Sequence, residues 1–595
     1  MRTSARQSLV EVLSERALTQ AHARAFTFLE GGEVEGARLT WSGLDERTRA
    51  IGAAIASRVP AGARVLLLFP PGLDIVPAFF GALSAATIAI PAYPPAAARM
   101  DRTVLRLRGM IADAGVTLIV STRAVRAKAE TFTNVIPELL RVSWLNVDDL
   151  EADQAWLPSR TNRQPIAFLQ YTSGSTANPR GVMVTHENLL HNLRFSAELG
   201  RFDGSSVGVS WLPVNHDMGL IQGLLQPVFS GYPCWLMSPA AFLQRPSRWL
   251  AAISRHRGTH SGGPNFAFDL CSRRVGDDDR AGLDLASWQV AFNGSEPIRQ
   301  DTLDAFTRAF APCGFRARAF RPAYGLAEAT LLVSSTDADE PVDALHVRRD
   351  ALSAGRVTAV SSADQPDRTG SVTLVSCGRA RGGMKVAIVD PVARTRCAPG
   401  TVGEIWVRGG SVTAGYWRRA AETAAAFEAM LADDSRHTYL RTGDLGFLAS
   451  GRLYVTGRIK DVLIVRGVKH YPQDLERSIE EIDPAIRRGC AAVFAMRSDG
   501  DEIAAAIELD LPKHSAPDDA TLNQLLDQVR TSVVQMHGVQ LSAVALLAPG
   551  SIPKTTSGKL QRFACREGLA SGTLQTLAVW MDGQVFVGTP LERTA

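Results

Sequence analysis

The chain has 595 residues, 46% of them hydrophobic and 21% charged. It is too long for one hydrophobic core and too ordinary in composition for a disordered or fibrous chain. Its 64 Lys and Arg against 60 Asp and Glu leave a net charge of +4, with the arginines scattered and no zinc-finger or base-stacking signature beside them, which excludes a dedicated nucleic-acid binder.

In chain order, MRTSARQSLVEVLSERALTQ has no apolar core of a signal peptide. The most apolar stretch, Val65–Pro95, is interrupted by Pro70, Pro71, Gly72, Asp74 and Pro77, whereas a membrane span needs about 20 nearly unbroken apolar residues. The seven cysteines lie far apart, with no pair at the spacing of a zinc knuckle or redox motif, which suits a reducing compartment. The expectation is a soluble cytoplasmic protein without integral membrane association.

Arg64–Phe69 reads as a buried strand, Asp74–Ala86 as a helix and Ile88–Pro91 as the next strand. The same apolar runs return at Pro165–Gln170, Val207–Leu212 and Gln289–Asn293, a rhythm that predicts α/β layers. The polar, turn-rich Ser361–Gly370 reads as a loop or surface insertion. From about Gly378 the pattern changes to strands, including Lys385–Val389 and Gly403–Val407, with glycine turns between them. A boundary is expected near Gly457–Asp461. Beyond it, helices at Gln473–Ile482 and Ala520–His537 and strands at Cys490–Ala495 and Ile503–Leu509 predict a small α+β domain. From Ser571 onward no extra module is read. The expected division is 1–457 for a large N-terminal domain, with a β-rich part over about 378–457, and 458–595 for a small C-terminal one.

The strongest local signal follows the apolar run Ile166–Leu169: YTSGSTANPRGV, residues Tyr171–Val182. A strand ending in such a loop aims backbone N–H groups and the hydroxyls of Thr172, Ser173, Ser175 and Thr176 at one small volume, with Gly174 between them. Such groups cradle polyphosphate. The GxxxxGK[ST] spacing is absent, and the plain alternative is a surface turn rich in small polar residues.

Further polar patches follow in order: AFNGSEP at Ala291–Pro297, YGLAEAT at Tyr324–Thr330, RTGDLG at Arg441–Gly446, GRIKD at Gly457–Asp461 and PKTTSGKLQR at Pro553–Arg562. This ordered set resembles the superfamily of acyl-CoA synthetases, nonribosomal-peptide adenylation domains and luciferases, across nearly the whole chain. The segments AFFGALSAATIAIPAYPP, SWLPVNHDMGLI, LMSPAAFLQRPSRWL, SGGPNFAFDLC and HYPQDLE narrow the resemblance to its fatty acyl-AMP ligase branch. The resemblance implies a large adenylate-forming domain of two α/β layers plus a β subdomain, and a small mobile C-terminal domain. It implies ATP-dependent activation of a fatty acid to an acyl-adenylate and transfer to the phosphopantetheine arm of an acyl carrier protein. A fatty acyl-CoA synthetase remains the second reading and a non-catalytic acyl-nucleotide-binding scaffold the third. A branch-specific insertion is expected over about 346–370.

Carboxylate and α-phosphate are both anionic, and at about 4 Å each unit pair repels by roughly 4 kcal/mol, so a cation must stand between them. The resemblance assigns that place to Lys559; the alternative is a solvated lysine on a turn. It gives Glu328 to Mg²⁺ with help from Thr176, against a carboxylate at a helix N-terminus. Asp444 and Arg458 are expected at the ribose, Tyr324 stacked on adenine, and Asn293, Gly294, Ser295 and Gly325 along its edge. His216 is expected at the carboxylate or phosphate side, against a structural histidine. Met218, Phe266 and Phe268 are expected to line the acyl tunnel, against plain core. Lys460 falls at the hinge between half-reactions. Four positions depart from the superfamily pattern: Ala177, Arg180, Ala327 and Asn215. A monomer or weak oligomer is expected, with a carrier protein in trans and no nucleic acid.

Overall fold

The computed structural model describes residues 8–95, 100–131, 133–151, 165–172, 179–338, 340–360, 370–497, 502–511, 517–555 and 558–587, the side chains of 100–102 excepted. The architecture is α/β, a large N-terminal domain followed by a smaller C-terminal one. Runs such as RVLLL and IAIPA carry too few polar residues to face water, and they form strands buried on both faces, as parallel sheets require. One six-stranded sheet runs in the order Ser143–Asn146, Leu118–Ser121, Arg64–Leu68, Ile88–Ala92, Ile166–Thr172, Arg180–Thr185, parallel except for its last strand. A second sheet has eight strands, with Cys234–Met237, Gly208–Ser210, His260–Gly263, Val290–Asn293 and Phe320–Gly325 parallel at its centre. The helix Ile75–Ser84 is buried along its whole length and belongs to the core cluster that joins the two sheets.

The strands read from the sequence appear close to where they were expected. Val207–Leu212 shortens to Gly208–Ser210, and Cys490–Ala495 lengthens to Ile486–Ala495. The β-rich part is an antiparallel sheet of Lys385–Val389, Gly403–Arg408, Asp434–Ala449, Ala429–Leu431 and Arg452–Arg458.

The C-terminal domain has its own five-stranded sheet, with Pro472–Glu480 and Asp519–His537 over one face and Arg562–Ala570 over the other. The stretch from Ser571, read as adding no module, supplies two of those strands, Thr576–Met581 and Gln584–Val587.

Across the expected insertion, Ala344–Arg348 at its start pairs antiparallel with Ser371–Val375 just beyond its end, and the short helix Arg349–Ser353 follows the first strand. Most of Ser361–Gly370 lies outside the described residues. This hairpin packs Val347 and Leu352 with Phe447 and Tyr454 of the β-rich sheet and with Tyr471 of the C-terminal domain. A cavity of about 1050 Å³ opens between Arg349 of the hairpin and His470, Asp474 and His537. All seven cysteines are free. Among the described residues no helix is long and apolar enough to cross a membrane.

Candidate active site

Parallel sheets present their ligand sites beyond the carboxyl ends of the strands, and the expected residues fall there. Thr172 ends the strand Ile166–Thr172, Asn293 ends Val290–Asn293, and Tyr324 and Gly325 end Phe320–Gly325. Ser173, Gly174, Ser175 and Thr176 lie outside the described residues, as does Ala177. The local backbone explains two of the small residues. A Cβ on Gly325 would stand 1.8 Å from the Leu331 carbonyl oxygen, and one on Gly294 would stand 3.0 Å from that of Ala323. Ser295 sits at φ +74°, a left-handed conformation uncommon for a side-chain-bearing residue and often found at functional sites. Asn293 Oδ1 is buried without a hydrogen-bond partner, an acceptor of the kind an adenine amino group satisfies.

Asp444 is the centre of a charged network. The Tyr324 hydroxyl donates to its Oδ2 at 2.8 Å and Arg458 Nε donates to its Oδ1 at 3.0 Å. The Asp444 N–H donates to the Thr442 hydroxyl. A carboxylate has about four lone-pair sites, so capacity for further donors is left. Beside Asp444 and Arg458 lies Glu328, whose Oε1 accepts from the Tyr416 hydroxyl at 2.9 Å. Burial raises the Glu328 carboxyl, and the Tyr416 hydroxyl and Arg458 pull it back. Among the described residues no three His, Cys, Asp or Glu side chains gather as a metal cage. A hard cation here would take one carboxylate oxygen and complete its shell with phosphate oxygens and water, the usual habit of Mg²⁺. Glu328 fits that use.

Lys559 reaches this cleft from the C-terminal domain. The turn that carries it is tight: the Thr555 N–H donates to the Lys559 carbonyl at 2.8 Å, and the Lys559 N–H returns to the Thr555 hydroxyl at 3.0 Å. Gly558 adopts φ +86°, and a Cβ there would lie 2.8 Å from the Phe266 ring. Arg562 anchors the turn from behind, reaching both carboxylate oxygens of Glu476 at 2.6 and 2.8 Å and Asp461 at 2.8 Å. The Lys559 ammonium is half-buried and faces Asp217, Glu296 and Asp444 as well as the Arg458 guanidinium. Burial pulls it below the ordinary lysine range, and Asp217 opposes that pull.

His216 precedes the one-turn helix Asp217–Leu220 and is lowered to about 3 by burial, with Arg106 and Lys559 adding to the shift. It is therefore a neutral imidazole at any ordinary pH. Asp217 and Glu296 are raised by burial, and each accepts a backbone N–H, from Met218 and Phe266 respectively.

The acyl-side residues separate. Phe266 is half-buried beside the Lys559 turn, with Trp211 edge-on at 6.0 Å. Met218 is buried one residue from Asp217. Phe268 stands elsewhere: it is fully buried among Trp249, Trp288, Phe306 and Phe320. The expectation of a tunnel wall at Phe268 is therefore corrected to a core packing role, because on the helix Asn265–Arg274 a step of two residues turns the side chain to another face. Lys460 lies exposed on the single turn Ile459–Asp461. Among the departures, Asn215 offers its carbonyl to Gln170 at 3.0 Å. Ala327 is buried next to Glu328. Arg180 forms an ion pair with Glu422 at 3.1 Å and lies over the Tyr416 ring at 5.5 Å. Asp217, Glu296, Tyr416 and Arg562 were not singled out from the sequence. Asp217 and Glu296 sit inside quoted motifs next to residues that were, Arg562 ends the quoted motif three positions after Lys559, and Tyr416 carries no sequence signal.

Residues 13–417 match the family model described as AMP-binding enzyme, and residues 460–579 match one described as Disco-interacting protein 2-like, AMP domain. The chain is 43% identical over 570 residues to the medium-chain-fatty-acid–[acyl-carrier-protein] ligase JamA of Moorena producens, covering 95% of this chain and 96% of that one. It is 38% identical over 559 residues to the long-chain-fatty-acid–AMP ligase FadD23 of Mycobacterium tuberculosis, covering 91% and 93%. The fold is similar to the crystal structure of a fatty acyl-adenylate ligase from Legionella pneumophila in complex with acyl adenylate and pyrophosphate. That match has a TM-score of 0.74 and 37% identity over 98% of this chain and 99% of that one.

Proposed function

The chain belongs to the AMP-binding enzyme family, and from that membership we propose that it is a fatty acyl-AMP ligase that activates a fatty acid and passes it to an acyl carrier protein. In the first half-reaction a carboxylate oxygen attacks the α-phosphorus of ATP. The bond to the bridging oxygen breaks, and pyrophosphate leaves with that electron pair. In the second, the phosphopantetheine thiol attacks the acyl carbon, the acyl C–O bond breaks, AMP leaves with that oxygen and the bonding electron pair, and the thiol proton is released to solvent.

The observation that carries this reading is Lys559, delivered by the C-terminal domain as a half-buried cation into the cleft that holds Asp444, Arg458, Asp217 and Glu296. A cation in a partly dry cleft is worth far more to a developing charge than one in water. In this reading Lys559 bridges carboxylate and α-phosphate, and neutral His216 offers a hydrogen bond there without adding charge. Asp444 accepts from the ribose, with Tyr324 and Arg458 fixing its two oxygens. Asn293, Gly294, Ser295 and Gly325 border the base, Thr172 begins the phosphate loop, and Met218 and Phe266 border the acyl group. Glu328 would hold Mg²⁺, which when bound neutralises phosphate charge. Lys460 serves as the hinge, 1–457 and 458–595 are the domains, and the hairpin around 346–370 restrains the small domain through Tyr471. ATP and a carrier protein as co-substrates suit a cytoplasmic enzyme.

The test is fatty-acid-dependent ATP–pyrophosphate exchange, with medium- and long-chain acids, followed by mass spectrometry of a holo carrier protein. Exchange that ignores added fatty acid overturns the reading. Acyl-CoA produced as readily as acyl-carrier would turn it into a CoA synthetase.

A further inference from the structure

One half-buried cation at the head of the cleft is not used by the roles above. The helix Met100–Ala114 lies along the strand pair Ile166–Thr172 and Arg180–Thr185, and three of its residues at positions i, i+3 and i+7 form one stripe toward that pair. Arg106 Nη2 donates to the Tyr171 carbonyl at 3.4 Å. A Cβ on Gly109 would touch the Pro179 ring at 3.2 Å. Asp113 accepts the Tyr171 hydroxyl at 2.7 Å. The helix is thus pinned at both ends of this stripe, and Arg106 is held at the end of the strand Ile166–Thr172.

The charges nearby are unequally spent. Asp113 also takes Arg419 at 3.0 Å, Arg419 takes Glu422 at 3.1 Å, and Glu422 takes Arg180 at 3.1 Å. That chain of pairs consumes Arg180, whose guanidinium also lies over Tyr416. Arg106 has no carboxylate partner among the described residues. Burial alone pulls its guanidinium down, and the group it meets across the cleft is neutral His216. A guanidinium drawn partly out of water without a counter-charge carries a cost that an anion would offset.

We propose that Arg106 is a ligand for the pyrophosphate end of the nucleotide, holding the β- and γ-phosphates at the strand end Tyr171–Thr172 while Arg180 is retained by Glu422. The proposal rests on the adenylation reading above. A planar fork suits two phosphate oxygens at once and explains an arginine at this place. It also accounts for the phosphate charge that Arg180, so placed, leaves unmatched.

The experiment is acid-dependent ATP–pyrophosphate exchange with wild type, Arg106→Met and Arg106→Lys, with KM measured separately for pyrophosphate, ATP and the fatty acid. Loss of one charged bidentate contact should raise KM for pyrophosphate and ATP about 10- to 100-fold in Arg106→Met. KM for the fatty acid should hold within about twofold, since no contact to it is lost. Arg106→Lys keeps the charge and should fall between, near a fivefold rise; it carries the test alone if the methionine variant does not fold. Transfer of preformed acyl-adenylate to the carrier, a step without pyrophosphate, should be unchanged. A rise confined to KM for the fatty acid would make Arg106 a carboxylate ligand and overturn the proposal, as would unchanged KM for pyrophosphate in both variants. Wild-type exchange is the control for the reaction itself: its absence sinks the adenylation reading, while normal exchange with unaffected variants sinks only Arg106.

Discussion

The Tyr416 hydroxyl donates to Glu328 Oε1 across 2.9 Å, and the face of the same ring carries the Arg180 guanidinium at 5.5 Å. Glu328 is also held through its backbone, whose carbonyl accepts both the N–H and the hydroxyl of Thr413. One carboxylate oxygen and the backbone of Glu328 are thus both fixed by neighbouring side chains. Removing the hydroxyl in Tyr416→Phe leaves the ring packed against Phe427 but frees one carboxylate oxygen. Outer-shell losses of this kind cost about 10-fold or more in metal affinity. The expected result is a higher Mg²⁺ requirement with an unchanged melting temperature, read from a Mg²⁺ titration of the exchange reaction. An unchanged Mg²⁺ half-saturation would remove Glu328 from the metal.

With Lys559 as the proposed bridging cation, its ammonium is expected to set the alkaline side of the rate. Its ammonium loses its proton at lower pH than an ordinary lysine because burial disfavours the charge. Adenylation should therefore fall with rising pH before the ordinary lysine range near 10.4 is reached. Lys559→Ala should lower the rate by about 100- to 1,000-fold, the usual loss for a donor aimed at developing charge, while ATP still binds. Lys559→Arg should be slow but should lose the alkaline limb, since guanidinium does not titrate there. His216, at about 3, should contribute no acid limb above pH 5. A limb near 6.5 that vanished in His216→Ala would refute the neutral assignment.

Much of the α/β frame was legible because parallel strands buried on both faces must be apolar runs: Arg64–Leu68 and Ile88–Ala92 could be little else. The small, hydroxyl and charged residues of the site were legible because they follow those runs directly, as Asn293 follows Val290 to Phe292. What could not be read was pairing between distant segments. Nothing local marks Arg562 as the clamp on Glu476 and Asp461, 86 and 101 positions earlier, or Tyr416 as the partner of Glu328. Phe268 shows the opposite failure: an aromatic residue two positions from Phe266 reads the same in sequence, yet helical geometry sends one to the cleft and the other into the Trp249–Trp288 cluster.

Gly325 offers a sharp steric test. Any Cβ there would meet the Leu331 carbonyl at 1.8 Å, and backbone cannot yield as a flexible side chain does. Gly325→Ala should push the strand end Phe320–Gly325 away from Leu332–Ser335 and cost about 3 kcal/mol or more, in the range of overpacked sites. Tyr324 would move with it, so KM for ATP should rise in whatever folded protein is recovered. Thermal melting and ATP titration together check both effects. A variant with wild-type melting would show that the strand end can open freely.

Asp474 links stability to pH. It lies in the wall of the cavity between the 349–353 helix and the C-terminal domain, and burial raises its carboxyl to about 6 despite Arg349 and Arg477 nearby, with Glu476 adding to the rise. A carboxyl with a folded pKa above its unfolded value binds its proton more tightly in the native state. Its contribution to stability is complete below the unfolded value near 3.9 and is lost as pH climbs through 6, at most about 3 kcal/mol for a shift of two units. Asp474→Asn removes the ionisation and keeps the shape. The variant should therefore match wild type only near pH 3, gain on it as pH rises from about 4 to 6, and melt higher than wild type at pH 7 to 8, in scans run at both ends. His470 and His537 line the same cavity, and both are lowered by burial. They charge only below the ordinary histidine range, so between pH 7 and 8 the difference belongs to Asp474. If the variant melts lower than wild type at pH 8, the attraction of Arg349 and Arg477 outweighs the cost of burial, and Asp474 is an ionised partner of that pair.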